Sequence, residues 1–374
     1  MTTDKIGLYL HIPFCVSKCK YCDFSSFSSV DSSVREKYIS TLILELLSYK
    51  QLPKIRVDTI FFGGGTPSLL TSEEFSEIVK AIHESFEVVD GCEFTVESNP
   101  KTIDEKKLSA YLENGVNRLS IGIQSIHENE LKYLGRIHNF FDVKEIVNLA
   151  HSCGLSNINA DIMYSIPEQT QSSFEKTIDE VLSLGITHLS AYGLILEEGT
   201  DFWYRRNSLP LPSEDEEAEM YCTVNKKLKD SGFLHYEVSN YALPTYECRH
   251  NLKYWQDMEY IGVGLSAHSY FRKVRYANPV TFSEYFVPNI KRSRTVEFID
   301  EGSEAFEYAM MNLRLSKGID LWEYERKFGK SFLFGRESKL KEFSQLGLSV
   351  LTSDRFYFTE RGFYLSNTLL SEIL

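Results

Sequence analysis

A regular alternation of strand-like and helix-like segments between Ile6 and Ile195 restricts the fold more than any other feature of this sequence. The strand-like runs are short and rich in Ile, Leu, Val, Phe and Tyr, which is typical of parallel strands buried on both faces. These runs are Ile6–Ile12, Val57–Phe62, Glu93–Val96, Arg118–Ile123, Ile158–Ile162 and His188–Ile195. Six βα units in a row predict an α/β fold with right-handed crossovers, either an open partial barrel or a doubly wound sheet.

Two helix starts can be read directly from the sequence. Thr71 and Glu74 have the spacing of a capping box, and so do Ser213 and Glu216. Polar residues also follow the ends of several predicted strands, at Gly63–Thr66 and at positions 97, 124 and 161. Because ligands bind at the carboxyl edge of parallel sheets, these strand ends are candidate ligand contacts.

The pattern changes after Gly199. The stretch from Phe233 to Tyr270 is rich in aromatic residues and irregular, and the segment after about Ser303 predicts two helices followed by a hairpin. Helices followed by a hairpin indicate a winged-helix-like α+β domain. We therefore predict a barrel at residues 1–235, an aromatic-rich connecting region at 236–300 and this C-terminal domain at 301–374.

The net charge of the chain argues against some classes of binding partner. The formal net charge of −13 argues against bulk attraction to nucleic acid or to an anionic membrane. Residues 301–374 hold 10 Lys/Arg and 11 Asp/Glu, a net charge of −1, whereas a DNA-binding wing is normally basic. The polar start, Met1–Gly7, does not resemble a signal peptide, and no apolar run reaches the ~18 residues of a membrane span. We expect a cytoplasmic protein that binds no nucleic acid.

Three of the seven cysteines, Cys15, Cys19 and Cys22, cluster directly after the first strand. In a reducing compartment, such a cluster indicates metal ligation or catalysis. Three thiolates can hold a cubane iron–sulfur cluster and leave its fourth iron open to a small molecule. Two alternatives remain open at this point: a zinc site completed by His11, and a redox pair of Cys19 and Cys22.

The spacing Cys15-xxx-Cys19-xx-Cys22, with Tyr21 before the last cysteine, resembles the signature of the radical SAM superfamily. The resemblance implies a partial (β/α)6 barrel, with a [4Fe-4S] cluster on the three cysteines and S-adenosylmethionine on the open iron. It further implies that residues along the strand ends hold S-adenosylmethionine: Tyr9, Tyr21, Gly65, Thr66, Pro67, Glu97, Gln124, Arg136 and Asp161. Taken singly, each of these polar residues is more typical of a solvated or capping position.

Further motifs resemble the HemN/HemW-type subgroup of that superfamily. They are His11–Cys15, Gly63–Pro67, Leu134–His138 and Cys248–Trp255. The subgroup contains oxygen-independent coproporphyrinogen III oxidases and haem chaperones, which bind haem and pass it to acceptor proteins. The oxidases have a fourth cysteine where this chain has Phe24, and a longer arm than the 14 residues that precede Cys15. The resemblance therefore favours the chaperone, with the oxidase as the alternative. If the acceptor is a membrane-bound protein, the chaperone would contact the membrane surface transiently.

The segment His250-Asn251-xx-Tyr254-Trp255 resembles the haem-binding feature of the chaperone branch. A neutral imidazole is a good axial ligand for haem iron, and the two aromatic rings can pack against a porphyrin. His250 is therefore the predicted haem ligand, with Cys248 and His268 as weaker candidates. Without the family resemblance, the pattern is more typical of a buried core histidine.

Metal analysis separates the iron–sulfur interpretation from the zinc alternative. After anaerobic purification, we expect about four irons and four acid-labile sulfides per chain, as in a cubane cluster. Replacing Cys15, Cys19 and Cys22 with Ala should remove both. One zinc per chain, with no iron or sulfide, would instead establish a zinc-stabilised structural protein.

Overall fold

The computed structural model describes residues 5–374. The strands are β1 Lys5–Ile12, β2 Phe14–Cys15, β3 Phe27–Ser28, β4 Arg56–Gly64, β5 Glu87–Ser98, β6 Arg118–Gln124, β7 Ile158–Tyr164, β8 His188–Gly193, β9 Leu234–Glu237, β10 Asn240–Ala242, β11 Tyr260–Val263, β12 His268–Phe271, β13 Val274–Ala277, β14 Thr295–Phe298, β15 Ile319–Asp320, β16 Ser349–Leu351 and β17 Arg355–Phe358.

The helices are α1 Ser32–Ser48, α2 Ser72–Ser85, α3 Glu105–Glu113, α4 Glu128–Leu134, α5 Phe140–Ser152, α6 Gln171–Leu182, α7 Asp201–Arg205, α8 Glu214–Asp230, α9 Arg249–Trp255, α10 Phe282–Tyr285, α11 Glu301–Asn312, α12 Leu321–Phe328, α13 Glu337–Gln345, α14 Glu360–Tyr364 and α15 Ser366–Ile373. Both predicted capping boxes are present, at the start of α2 and at the start of α8.

The six predicted strands form the parallel core of the sheet, in the order β1-β4-β5-β6-β7-β8. This order confirms the partial (β/α)6 barrel. Strand β5 is longer than predicted, because its pairing with β4 continues on both sides of an irregularity opposite Asp58. Gly91 lies in that irregularity with a left-handed φ of 71°, a conformation that glycine adopts without steric cost.

The aromatic-rich region after Phe233 contains more regular structure than its sequence indicates. Its strands extend both edges of the parallel core: β9 and β10 lie beside β8, while β11 to β14 continue outward from β1. Only β11 is parallel to its neighbour in the core, and the others pair antiparallel. Strands of three or four residues are too short to show a clear alternation, so periodicity misses them.

Alternate residues of the core strands face opposite environments. Residues such as Leu8, Leu10 and Phe62 face the surrounding helices and are fully buried in apolar clusters. A second apolar cluster packs α5, α6 and α8 on the later strands. Several of the alternating residues on the other face of the strands are polar although they are buried: Thr59, Glu93, Thr95, Arg118, Ser120, Asn159 and His188. These buried polar side chains therefore require hydrogen-bond partners inside the barrel.

The C-terminal segment has the predicted winged-helix-like arrangement. Helices α11, α12 and α13 precede the hairpin of β16 and β17, and the short β15 completes an antiparallel sheet in the order β15-β17-β16. Its core, including Phe356 and Phe363, is continuous with the apolar cluster around α8. In residues 5–374, no helix is long and apolar enough to cross a membrane.

A buried ion cluster joins the connecting region to α1. Glu45 on α1 is fully buried in an ion pair with Arg292 at 2.8 Å and in another with Arg294 at 3.0 Å. Its carboxylate also accepts hydrogen bonds from the Tyr285 hydroxyl at 2.6 Å and the Asn278 amide at 2.8 Å. These contacts fix residues 278–294 against the first helix of the barrel.

Replacing Glu45 with Ala should destabilise the protein by about 3–5 kcal/mol, because it leaves the buried Arg292 guanidinium without its counter-charge. Urea unfolding followed by circular dichroism measures this change. Glu36 is exposed on the same helix, so Glu36→Ala is the matched control and should change the free energy of unfolding by less than about 0.5 kcal/mol. Equal stabilities of the two variants would contradict a stabilising role of the cluster.

Candidate cofactor and ligand site

A cavity of about 490 Å³ opens at the carboxyl ends of the parallel strands. It brings together the three clustered cysteines and most of the residues predicted to hold S-adenosylmethionine. Those that line it are Cys15, Cys19, Cys22, Tyr21, Gly65, Thr66, Glu97, Gln124, Arg136 and Asp161. Three predicted residues, Tyr9, Pro67 and His250, do not line this cavity.

Backbone hydrogen bonds from several parts of the fold hold the cysteine loop. Phe27 N–H donates to the Pro13 carbonyl at 2.7 Å, within the small parallel pair of β2 and β3. Lys20 donates to the Leu134 carbonyl at 3.1 Å and accepts from Phe202 N–H at 3.0 Å. The loop is thus positioned by the ends of α4 and α7.

Two side chains donate to the cysteine sulfurs. Thr66 Oγ1 donates to Cys15 Sγ at 3.7 Å, and Arg136 Nη1 donates to Cys19 Sγ at 3.6 Å. Such donors stabilise thiolates, the form that ligates metal. Burial raises the pKa of Cys22, which coordination by a metal would counteract. All seven cysteines are free, and the three at the cavity are only partly buried.

The arrangement suits an iron–sulfur cluster better than a zinc ion. Both ring nitrogens of His11 are occupied, Nδ1 by the Tyr9 hydroxyl at 3.0 Å and Nε2 by the Ser25 carbonyl at 2.9 Å. His11 therefore does not complete a Cys₃His set. Within the described residues, no three Cys, His, Asp or Glu side chains converge closely enough to hold a single metal ion. Three thiols spread around a cavity fit the larger cubane cluster.

A chain of hydrogen bonds connects two of the cysteines through the cavity wall. Thr66 contacts Cys15 and accepts from the Asn99 amide at 2.9 Å. The side-chain oxygen of Asn99, Oδ1, accepts in turn from the Arg136 guanidinium at 2.5 Å, and Arg136 contacts Cys19. Asn99 was not predicted as a site residue, although it lies two positions after Glu97.

Gly122 makes room for the Arg136 side chain. Arg136 Nη2 donates to the Gly122 carbonyl at 2.5 Å, and a Cβ on Gly122 would lie 2.9 Å from that nitrogen. Gln124, two residues later, has a left-handed φ of 65°, which is uncommon outside glycine. The pairing of β6 with β7 shifts register at this point, so the strand ends in an irregular turn at the cavity.

Two carboxyl groups lie at the cavity floor. Asp161 accepts from Ser120 Oγ at 3.1 Å and from the Asn159 amide at 2.8 Å. Glu97 accepts from Gly64 N–H at 3.2 Å, but burial and the nearby Asp161 raise its pKa to about 8. Glu97 is therefore protonated at neutral pH, so this pair can offer both a donor and an acceptor to the hydroxyl and amino groups of a ligand.

The structure places His250 in the barrel interior, outside the cavity, where it is fully buried. Its Nδ1 bonds to Thr59 Oγ1 at 2.8 Å and its Nε2 to the Tyr254 hydroxyl at 2.9 Å. Its ring stacks on Phe61 at a centroid distance of 5.2 Å. With both nitrogens occupied, His250 is not available to haem iron in this arrangement. This placement agrees with the alternative interpretation of the motif, in which His250 is a buried core histidine.

Helix α9, which carries this motif, closes the amino end of the barrel. The Glu93 carboxylate accepts from the backbone N–H groups of Arg249 and His250, each at 2.9 Å. Cys248 is also fully buried, with its thiol 3.6 Å from the same carboxylate. The other weaker haem-ligand candidate, His268, is exposed at the start of β12 and does not line the cavity.

Comparisons with known proteins agree with the fold. The family model described as the radical SAM superfamily matches residues 9–181, and the HemN C-terminal domain matches residues 300–365. The heme chaperone HemW of Lactococcus lactis is 35% identical over 98% of this chain and 96% of its own length. The HemW proteins of Bacillus subtilis and Escherichia coli are each 33% identical, over 98% and 99% of this chain and 98% of their own lengths.

Among solved structures, coproporphyrinogen III oxidase HemN of Escherichia coli, described as a radical SAM enzyme, superposes with a TM-score of 0.87. It covers 98% of this chain and 89% of its own length, at 22% sequence identity. At that identity, the likeness establishes the shared fold.

The raised pKa of Glu97 predicts how the stability of the ligand-free protein depends on pH. The unfolded carboxyl group loses its proton near 4.5, whereas the folded one keeps it until about 8. The folded state therefore binds the extra proton between these values, and stability should fall as pH rises from about 5 to 8. Thermal melts across this range, on wild type and on Glu97→Gln, measure the effect. The Gln variant should show a flatter profile, and superimposable profiles would contradict the protonated state.

Proposed function

This chain belongs to the HemW family of radical SAM proteins, and we propose that it is a haem chaperone, which binds haem and transfers it to acceptor proteins. The observation that carries the proposal is the similarity to HemW proteins from several bacteria over nearly the whole length of both chains. The similarity includes the C-terminal region, where residues 300–365 match the HemN C-terminal domain.

We infer that Cys15, Cys19 and Cys22 hold the [4Fe-4S] cluster and that S-adenosylmethionine binds beside it, along the strand ends that line the cavity. Arg136 and Thr66 stabilise the thiolates through their contacts with sulfur. Held by these three cysteines, the cluster would supply one-electron redox chemistry to S-adenosylmethionine bound in the same cavity.

The strand-end residues of the cavity provide the polar contacts that S-adenosylmethionine requires. Asp161 can accept hydrogen bonds from its hydroxyl and amino groups, and the protonated Glu97 can donate one to a hydroxyl oxygen. Gly65, Gln124 and Tyr21 line the same cavity and complete the proposed set. Tyr9 and Pro67 do not line the cavity and support its wall from outside. Tyr9 bonds to His11 and stacks on Phe61, and Pro67 is buried at the start of a short helix after β4.

The proposed division of labour follows the predicted regions. Residues 1–235 carry the cofactor site, residues 236–300 complete the sheet, and residues 301–374 form a module for packing or for docking the acceptor. The free thiols at the cavity suit a reducing compartment, so we infer that the protein acts in the cytoplasm, without a nucleic-acid partner.

A titration of the cluster-loaded protein with haem tests the proposal. We expect saturable binding with a shifted Soret band, followed by transfer of the haem to an apo-haem protein such as apomyoglobin. The matched control is the Cys15, Cys19 and Cys22 triple Ala variant, which lacks the cluster and reports how far haem binding depends on it.

Incubation with coproporphyrinogen, S-adenosylmethionine and a reductant tests the alternative. A chaperone should release no decarboxylated product. Decarboxylation without saturable haem binding would overturn the proposed function and establish the oxidase.

A further inference from the structure

His138 is the one histidine that lines the cavity. The chain has nine histidines, all within the described residues, and the other eight lie elsewhere. Both ring nitrogens are occupied in His11, His188 and His250. The five that remain are away from the cavity: His83, His127, His151, His235 and His268.

The hydrogen bonding of His138 leaves one nitrogen free. Its Nε2 lies 3.1 Å from the Ile123 carbonyl oxygen, at the end of β6. A carbonyl oxygen can only accept, so the proton resides on Nε2 and the lone pair of Nδ1 is available. In the described part of the chain, Nδ1 has no hydrogen-bond partner. A histidine that donates one N–H to a backbone carbonyl and presents the other nitrogen has the usual arrangement of a metal ligand.

The surroundings keep this imidazole neutral. Burial and the neighbouring Arg136 guanidinium lower the pKa of His138 to about 4, outweighing the bond to Ile123 and the attraction of Asp142. Lys101 lies nearby and acts in the same direction as Arg136. At neutral pH the ring therefore carries a lone pair instead of a positive charge, as ligation of iron requires.

The mouth of the same cavity is lined by exposed apolar side chains. Phe24 is 62% exposed and Ile195 is 67% exposed, and both line the cavity. Val16, Ile137 and Tyr192 are exposed beside them. Apolar side chains that share one cavity mouth mark a ligand surface, and a flat, largely apolar ring system would cover them.

A cation at the mouth suits the acidic groups of such a ligand. Lys101 lines the cavity and its side chain is 45% exposed, although its ammonium group lies 3.3 Å from Asp142. Haem combines the three properties that this surface can recognise: an apolar ring, peripheral carboxylates and an iron that accepts a neutral imidazole.

We propose that His138 is the axial ligand of the haem iron, through Nδ1, and that the apolar cavity mouth binds the porphyrin. The inference rests on the proposed function, because it locates the haem site of the chaperone. It places haem next to the cluster and S-adenosylmethionine, whereas the motif around His250 has a structural role at the opposite end of the barrel.

Haem titration of cluster-loaded, full-length variants tests this assignment. His138→Ala should weaken haem binding by at least about tenfold, the lower end of what losing even an outer-shell partner costs a metal site. It should also change the ferric haem spectrum by electron paramagnetic resonance, and added imidazole should restore the wild-type axial signature. The matched control, His268→Ala, removes an exposed histidine outside the cavity and should bind haem as wild type does.

A second variant distinguishes the loss of the iron ligand from a folding defect. His138→Gln retains an amide N–H for the Ile123 carbonyl but supplies no imidazole, so it should fold, load the cluster and still lose the axial signature. Wild-type affinity and spectrum in both His138 variants would overturn the assignment while leaving the chaperone function in place. If wild type itself binds no haem, the proposed function fails, and this inference fails with it.

Discussion

The parallel strands must bury both faces, and the rest of the structure depends on how the two faces are used. One face carries Leu, Ile, Val and Phe, and packs under the helices, where no polar partner is needed. The other face carries many polar residues within the barrel. A buried polar group without a partner costs free energy, and most of these side chains, among them Thr59, Asn159 and His188, bond to other side chains.

At the carboxyl end, that requirement produces the cofactor site. Thr66, Asn99 and Arg136 form a continuous hydrogen-bonded arc that begins at Cys15 and ends at Cys19. The arc orients donors toward the sulfurs and ties the cysteine loop to strands β4, β5 and β6. Because the strands hold these side chains in place, they help to position the three thiols around the cavity.

At the amino end, the same requirement is met by helix α9. Glu93 binds the first backbone N–H groups of the helix, and His250 fills the space between Thr59, Phe61 and Tyr254. An imidazole, with two polar nitrogens on a flat ring, suits this position because both nitrogens form hydrogen bonds. The motif that resembles a haem-binding feature thus packs inside the barrel with both nitrogens of His250 hydrogen-bonded, and the histidine that lines the cavity is His138.

The sequence by itself determined the six parallel strands, the clustering of three cysteines and about a third of the cavity lining, because these depend on local pattern and spacing. Alternation along each strand and the tight CxxxCxxC loop are properties of neighbouring residues, and strand ends in a parallel sheet meet at one edge. Asn99, Gly122 and His138 were not identified as site residues because their roles come from contacts between different strands. The positions of His250 and the short edge strands were also decided only by tertiary structure. Whether an imidazole ligates iron or packs in a core depends on which groups surround its two nitrogens, and those groups come from residues far apart in the chain.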